Sequence, residues 1–253
     1  MKAIIVAGGK GERLRPLTDH VPKPMLCVGG KPLLERTIDL LKKAGITDII
    51  IALCYLPDVI TKYFKDGSDF GVKITYTFED PQMPLGTAGA ILPAQPYILK
   101  LSAGQSSEPF IVTYADTLRE LDIAEMIAAH ENSKSIVTIN AYKHRGTNFK
   151  SALVFNTNNE LTGFREFKNS TELPKDLPND FSWSNGSFYI CSPEIFDYIQ
   201  KNNKTDFSTD IFPKLISLGK KISVFPTSGY FIDIGTKQTL EQAEKDIQKG
   251  LFK

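Results

Sequence analysis

The residues best suited to chemistry lie near the start of the chain, in Gly8-Gly9-Lys10-Gly11-Glu12-Arg13-Leu14-Arg15, with Lys23 following between Pro22 and Pro24. Three glycines in four positions let the backbone turn sharply and aim its N–H groups at an anion, and Arg13, Arg15 and Lys23 add positive charge. A phosphate chain is the ligand such a loop suits; an ordinary tight turn is the bland alternative. Two generic phosphate loops are excluded. Walker A requires Ser or Thr after its Gly-Lys, whereas Gly30-Lys31 is followed by Pro32. The dinucleotide fingerprint would start at Gly9 and Gly11 but lacks its third glycine, because position 14 is Leu.

Three further stretches could join this loop. Pro84-Leu85-Gly86-Thr87-Ala88-Gly89-Ala90 is rich in small residues, which either admit something flat or let a helix pack closely on a sheet. Asp116 ends the apolar run Phe110-Ile111-Val112-Thr113-Tyr114, where a carboxylate either holds a cation or forms a turn or cap. Asp233 stands between Ile232 and Ile234; burying it needs a cation or several donors, and backbone N–H groups are one source of those. His130 falls near the end of a helical pattern and reads as a surface residue. Cys27, Cys54 and Cys191 are far apart, without metal-ligand spacing, and read as reduced packing residues.

Positioning these groups requires strands that end at a common edge. Ala3 to Ala7 is an apolar strand without polar alternation, as in a parallel sheet covered on both faces. Gly30-Lys31-Pro32 is expected to open a helix with Pro32 in its first turn, Leu34, Ile38 and Leu41 mark one face of it, and Gly45 stops it. Ile49-Ile50-Ile51 is a second strand, Pro57 opens a short helix, and Val72 to Phe78 is a third strand. Alternation of this kind predicts βαβ units and a mainly parallel sheet, whose ligand crevice lies at the carboxyl ends of the strands. Residues 152–155 and 161–167 flank an Asn-rich turn and predict a hairpin. Ser192-Pro193 is expected to cap a helix, and residues 210–218 to form another that bends near Pro213.

At 253 residues and 42% hydrophobic, the chain is sized for one α/β domain. Its 30 basic and 29 acidic residues leave a net charge of +1, which implies no broad attraction to nucleic acid or anionic membrane. No apolar run reaches membrane-spanning length and Met1-Lys2-Ala3 enters a strand directly, so a cytoplasmic protein is expected.

Gly8-Gly9-x-Gly11-x-Arg13-Leu14-x-Pro16-Leu17-Thr18, then Pro22-Lys23-Pro24-Met25-Leu26 and Gly30-Lys31-Pro32-Leu33-Leu34-Glu35, resembles the signature of the sugar-1-phosphate nucleotidylyltransferases. The branches it is most similar to are the mannose-1-phosphate and heptose-1-phosphate guanylyltransferases. The likeness is dense over residues 3–35, clear at 84–90 and 229–236, and loose from 143 to 190. Ala115-Asp116 stands where the family often has Gly-Asp, and Phe231 where it has Trp. In Phe164-Arg165-Glu166-Phe167-Lys168 the family's Lys comes one residue late.

The resemblance implies an α/β fold: a single Rossmann-like three-layer domain over residues 1–253 with a small β-hairpin in its sugar-binding part. Residues 1–120 would be the nucleotide-binding half and 121–253 the sugar-phosphate half. It implies nucleotidyl transfer from a nucleoside triphosphate, GTP foremost, to a mannose- or heptose-type sugar 1-phosphate. Ala7, Gly8, Gly9 and Gly11 would hold the triphosphate, with Gly86, Thr87 and Gly89 at the base. Arg13, Lys23 and Asp116 would be catalytic, and Asp116 and Asp233 would hold Mg²⁺. Glu166, Lys168, Asn185 and Gly186 would take the sugar phosphate, beneath a flap at 169–182. Uridylyl or thymidylyl transfer to a glucose-type phosphate would use the same skeleton. An inactive nucleotide-sugar-binding regulatory subunit and a glycosyltransferase of similar architecture are the readings from other classes. A homo-oligomer is left open.

Overall fold

The computed structural model describes residues 1–99, 108–143, 151–167, 183–201 and 203–252. Lys168 and the expected flap lie outside the described residues. The chain runs through β1 (Ala3–Val6), a ribbon of β2 (Cys27–Val28) and β3 (Lys31–Pro32), α1 (Leu33–Lys43), β4 (Asp48–Leu53), α2 (Pro57–Phe64) and β5 (Lys73–Phe78). One-turn helices α3 (Gly86–Gly89) and α4 (Gln95–Ile98) come next, then β6 (Phe110–Tyr114), β7 (Thr117–Arg119), α5 (Ile123–Ser133) and β8 (Val137–Lys143). The hairpin β9 (Ser151–Phe155) and β10 (Leu161–Glu166) precedes β11 (Trp183–Cys191), α6 (Phe212–Ser217), β12 (Ile222–Thr227), β13 (Phe231–Asp233) and α7 (Lys237–Gln248).

Among the described residues seven strands form the central sheet, in the order β12-β8-β11-β6-β1-β4-β5. Only β11 runs against its neighbours, so the sheet is mainly parallel, as its unbroken apolar strands predict. Alternate side chains of each strand feed opposite cores. Ile4, Ile50, Val112 and Tyr189 join residues of α3, α6 and the β9–β10 hairpin on one face. Ile5, Ile49, Ile111 and Phe188 join Leu34, Ile38 and Leu41 of α1, Ile60 and Phe64 of α2, and Ile123 and Met126 of α5 on the other. The result is three layers. A third cluster, including Leu14, Leu26, Leu118, Ile234 and Ala243, packs the first glycine loop against β13 and α7.

Several local expectations are corrected. Lys31 and Pro32 pair with Cys27 and Val28 as a ribbon, and α1 starts only at Leu33. Ser192 makes no cap; its hydroxyl donates to the Ser135 carbonyl, and Pro193–Tyr198 is a 3-10 turn. A wide turn over Phe207–Ile211 runs into α6, with Pro213 in the first turn where a missing N–H costs nothing. His130 is 3% exposed, because α5 lies against β8 and its ring meets the Thr138 hydroxyl at 2.8 Å.

Candidate active site

From β1 the chain crosses to β4 and β5 on one side, then returns to β6 on the other, so the carboxyl ends of β1 and β6 flank the point where the sheet order reverses. Open α/β sheets bind ligands there. The glycine loop leaves β1 at this edge and Asp116 leaves β6 beside it, with the Ala115 N–H donating to the Val6 carbonyl. The loop's shape is set by close approaches. A Cβ on Gly8 would lie 2.9 Å from the Cys54 Cβ, and Gly11, at φ +65°, would place one 2.9 Å from the Thr18 methyl and 3.1 Å from the Lys23 Cβ. The Gly11 carbonyl accepts from the Leu14 N–H and the Thr18 hydroxyl, each at 2.9 Å.

Asp116 and Asp233 converge because β7 and β13 pair antiparallel, with Thr117 opposite Asp233 and the Ile234 N–H donating to the Asp116 carbonyl. Between the two carboxylates stands Lys23. Its Nζ is 2.5 Å from Asp116 Oδ2 and 3.8 Å from Asp233 Oδ1, and the residue is 9% exposed. Burial alone would pull the ammonium below its ordinary pKa, but Asp116 and then Asp233 outweigh it, and the pKa is raised. Arg13, exposed on the turn Glu12–Leu14, adds a smaller opposing field, while Arg15 pairs with Asp19 at 3.4 Å. Among the described residues no set of three or more His, Cys, Asp or Glu side chains could hold a metal. Two carboxylates already sharing one cation nevertheless fit Mg²⁺, which commonly takes one or two protein carboxylates and fills its other positions with water and substrate phosphates.

A cavity of about 410 Å³ opens beside this pair. Thr87, Asp116, Glu166, Asn185 and Asp233, all singled out in the sequence, line it together with Phe231, noted there at the family's Trp position, and with Tyr114, Tyr142, Ser187 and Asp206, which were not singled out. On one side, the second small-residue loop is clasped by residues 205–207. Asp206 Oδ1 accepts from the Thr87 N–H at 2.8 Å and its hydroxyl at 3.0 Å, and Thr205 O accepts from the N–H groups of Ala88 and Gly89. Gly86, at φ +78°, has no room for a Cβ, which would meet Thr205 O at 2.7 Å. The N–H groups of Thr87 and Gly89 are thus spent within the fold, so a ligand at this loop meets its surface rather than those donors. Across the cavity, Asn185 donates to the Tyr189 hydroxyl at 2.8 Å and accepts from the Ser187 N–H. Gly186 is buried beside it; a Cβ there would strike Asn140 Oδ1. Burial drives Tyr114 well above its ordinary pKa, so it enters the wall as a neutral phenol bonded to Thr87 and Tyr189.

At the end of β7, in the ribbon that β7 forms with β13, lies Arg119, 5% exposed, its pKa drawn down to about 10 by burial despite the opposing fields of Asp116, Tyr189 and Asp233. Neither Arg119 nor Asp206 stands in any motif, and nothing short of their spatial partners could have pointed to them. Ala7 is buried, its N–H bonded to the Ala52 carbonyl at 2.9 Å. No helix among the described residues is long and apolar enough to cross a membrane.

A family model described as nucleotidyl transferase matches residues 2–250. The UTP–glucose-1-phosphate uridylyltransferase of Synechocystis is 30% identical over 98% of this chain and 63% of its own length. A mannose-1-phosphate guanyltransferase of Schizosaccharomyces pombe is 31% identical over 93% of this chain and 61% of its own length. The chain therefore spans about three fifths of the length of these relatives. Among solved structures, HddC from Yersinia pseudotuberculosis, complexed with GMP-PN, aligns with a TM-score of 0.76 at 27% identity over 97% of this chain and 99% of that one.

Proposed function

We propose, for a chain that belongs to the nucleotidyl transferase family, that it transfers the nucleotidyl group of a nucleoside triphosphate, GTP foremost, to a manno-configured sugar 1-phosphate. The carrying observation is the Asp116–Lys23–Asp233 cluster at the switch point, opening onto a cavity with hydroxyls and amides on its far wall. In such a transfer the sugar-phosphate oxygen attacks the α-phosphorus, the bond to the β-phosphate oxygen breaks, and pyrophosphate departs. The nucleophile is already an anion, so no general base is required; the barrier is the repulsion of two anionic reactants. Lys23 answers that repulsion with a charge held on by its two carboxylates, and Arg13 adds a second at the glycine loop, where the leaving pyrophosphate would sit. Asp116 and Asp233 would hold Mg²⁺, which when bound neutralises phosphate oxygens and makes the phosphorus more electrophilic. Gly8, Gly9 and Gly11 would cradle the triphosphate; Glu166 and Asn185 would meet the sugar, with Lys168 as a further candidate, whereas Gly186, buried and with its carbonyl taken by Arg119, would act only through the shape of the wall.

The preference for guanine and a manno sugar is supported by the guanyltransferase relative and by the neighbour holding GMP-PN. The uridylyltransferase relative supports the second reading, uridylyl or thymidylyl transfer to a glucose-type phosphate. Pyrophosphate release with Mg²⁺, crossing GTP, UTP, dTTP, CTP and ATP against mannose, glucose and heptose 1-phosphates, separates them. GTP with a manno-configured phosphate is the expected pair. Release only with UTP or dTTP and glucose 1-phosphate would replace the substrates and keep the chemistry, and silence on every pair with nucleotide still bound would leave a regulatory subunit or a sugar outside the panel.

A further inference from the structure

The guanidinium of Arg119 ties together two elements that the site needs, the β7–β13 pair and β11. Arg119 lies on β7, three residues past Asp116 and opposite Phe231 in β13. It donates one arm to the Thr117 hydroxyl on its own strand and the other to the Gly186 carbonyl on β11. Its plane rests 5.4 Å from the Phe188 ring centre and 5.7 Å from that of Phe231. A buried guanidinium is costly unless its donors are used, and a planar fork can serve two acceptors on separate strands where an ammonium acts as a point charge.

What it grips is irregular. The register of β11 against β8 shifts between Asn185 and Tyr189, and Ser187 sits at φ 54°, a conformation unfavourable to a side-chain-bearing residue. This bulge turns Asn185 and Ser187 into the cavity. From within, the bulge is braced by the Ser187 N–H on Asn185 Oδ1; from outside, it is braced by Arg119.

We propose that Arg119 is a positioning residue for the sugar-phosphate side of the reaction proposed above: it fastens the β7–β13 ribbon, which Asp116 immediately precedes and Asp233 ends, to the β11 bulge, which carries Asn185 and Ser187. Beside the β6–β11 pairing and the stacking of Phe231 on Tyr142, one side chain that touches neither substrate then joins the carboxylates to the sugar wall. This rests on the functional reading only for its kinetic consequence, so the test has two arms.

The first arm needs no substrate: amide hydrogen exchange over residues 183–189 in the wild type, Arg119→Lys and Arg119→Gln. Faster exchange confined to that segment in either variant is expected; wild-type protection there in both would overturn the fastening. The second arm is steady-state kinetics with the substrate pair that the wild type accepts. The expected result in either variant is a rise of about tenfold in KM for the sugar 1-phosphate, with KM for the triphosphate and kcat within about twofold. An unchanged sugar KM, or equal rises in both KM values, would overturn the positioning role. Wild-type silence on every pair would remove the functional reading while the exchange arm still decides the fastening.

Discussion

Lys23 brings two opposing demands into one side chain. Its burial penalises the charge, and the only reason the ammonium persists is the pair of carboxylates that surround it. Replacing it with Ala leaves Asp116 and Asp233 facing each other, but both side chains are more than a quarter exposed, so water and cations reach them and the fold should hold. Turnover should drop by about 10²–10³, as on removing one charge-stabilising donor, and Asp116→Asn should do the same. Pyrophosphate release by folded mutants, checked by circular dichroism, measures this; near-normal turnover would remove that residue from the mechanism. Because the Lys23 pKa is raised, the activity profile should show no loss from its deprotonation below about pH 10.5. At this scale much was legible. Glycine spacing and a proline-flanked lysine are local signals, and an aspartate between isoleucines advertises its need for a partner. The partner's identity was not legible, since 210 positions separate Lys23 from Asp233.

Elements decide what those residues can reach. The long apolar strands were readable because both faces are buried, but β7 and β13 have three residues each and leave no periodicity to find. They nevertheless form the ribbon that joins the two carboxylates. The clasp on the second loop is equally silent in sequence. Thr205-Asp206-Phe207 carries no motif, yet Asp206 accepts both donors of Thr87, and the Phe207 N–H donates to the Thr87 hydroxyl at 3.0 Å. Asp206→Ala removes two acceptor contacts at once and leaves the one-turn helix α3 held on that side by its backbone bonds to Thr205 and by the Phe207 N–H on the Thr87 hydroxyl. If this loop borders the base, KM for the triphosphate should rise by about tenfold while KM for the sugar 1-phosphate changes by less than about twofold. Steady-state titration of each substrate measures this, and a larger rise for the sugar would move the loop to the other end of the cavity.

At the scale of the whole molecule, the βαβ alternation was readable but the strand order was not. Handedness rules constrain each crossover, yet nothing local says that β11 inserts antiparallel between β6 and β8. That insertion lets β8 take α5 onto its flank, which is why His130 is buried against Thr138 instead of lying at the surface. Burial draws its pKa down to about 4. As pH falls below about 6.5, the unfolded chain takes up a proton at this position and the folded chain does not, so the unfolded state binds more protons and stability falls. The loss begins near pH 6.5 and levels off near pH 4, amounting to about 2 kcal/mol by pH 5. Carboxylates contribute their own dependence in the same range, so the comparison must be with a variant lacking the group. His130→Gln should be less stable than wild type at pH 7.5, having lost the ring's packing, but on going to pH 5 it should lose about 2 kcal/mol less in urea unfolding. Equal losses in the two proteins would mean that the imidazole takes its proton within the fold at its ordinary pKa, and that the α5–β8 contact opens to water more readily than its packing implies.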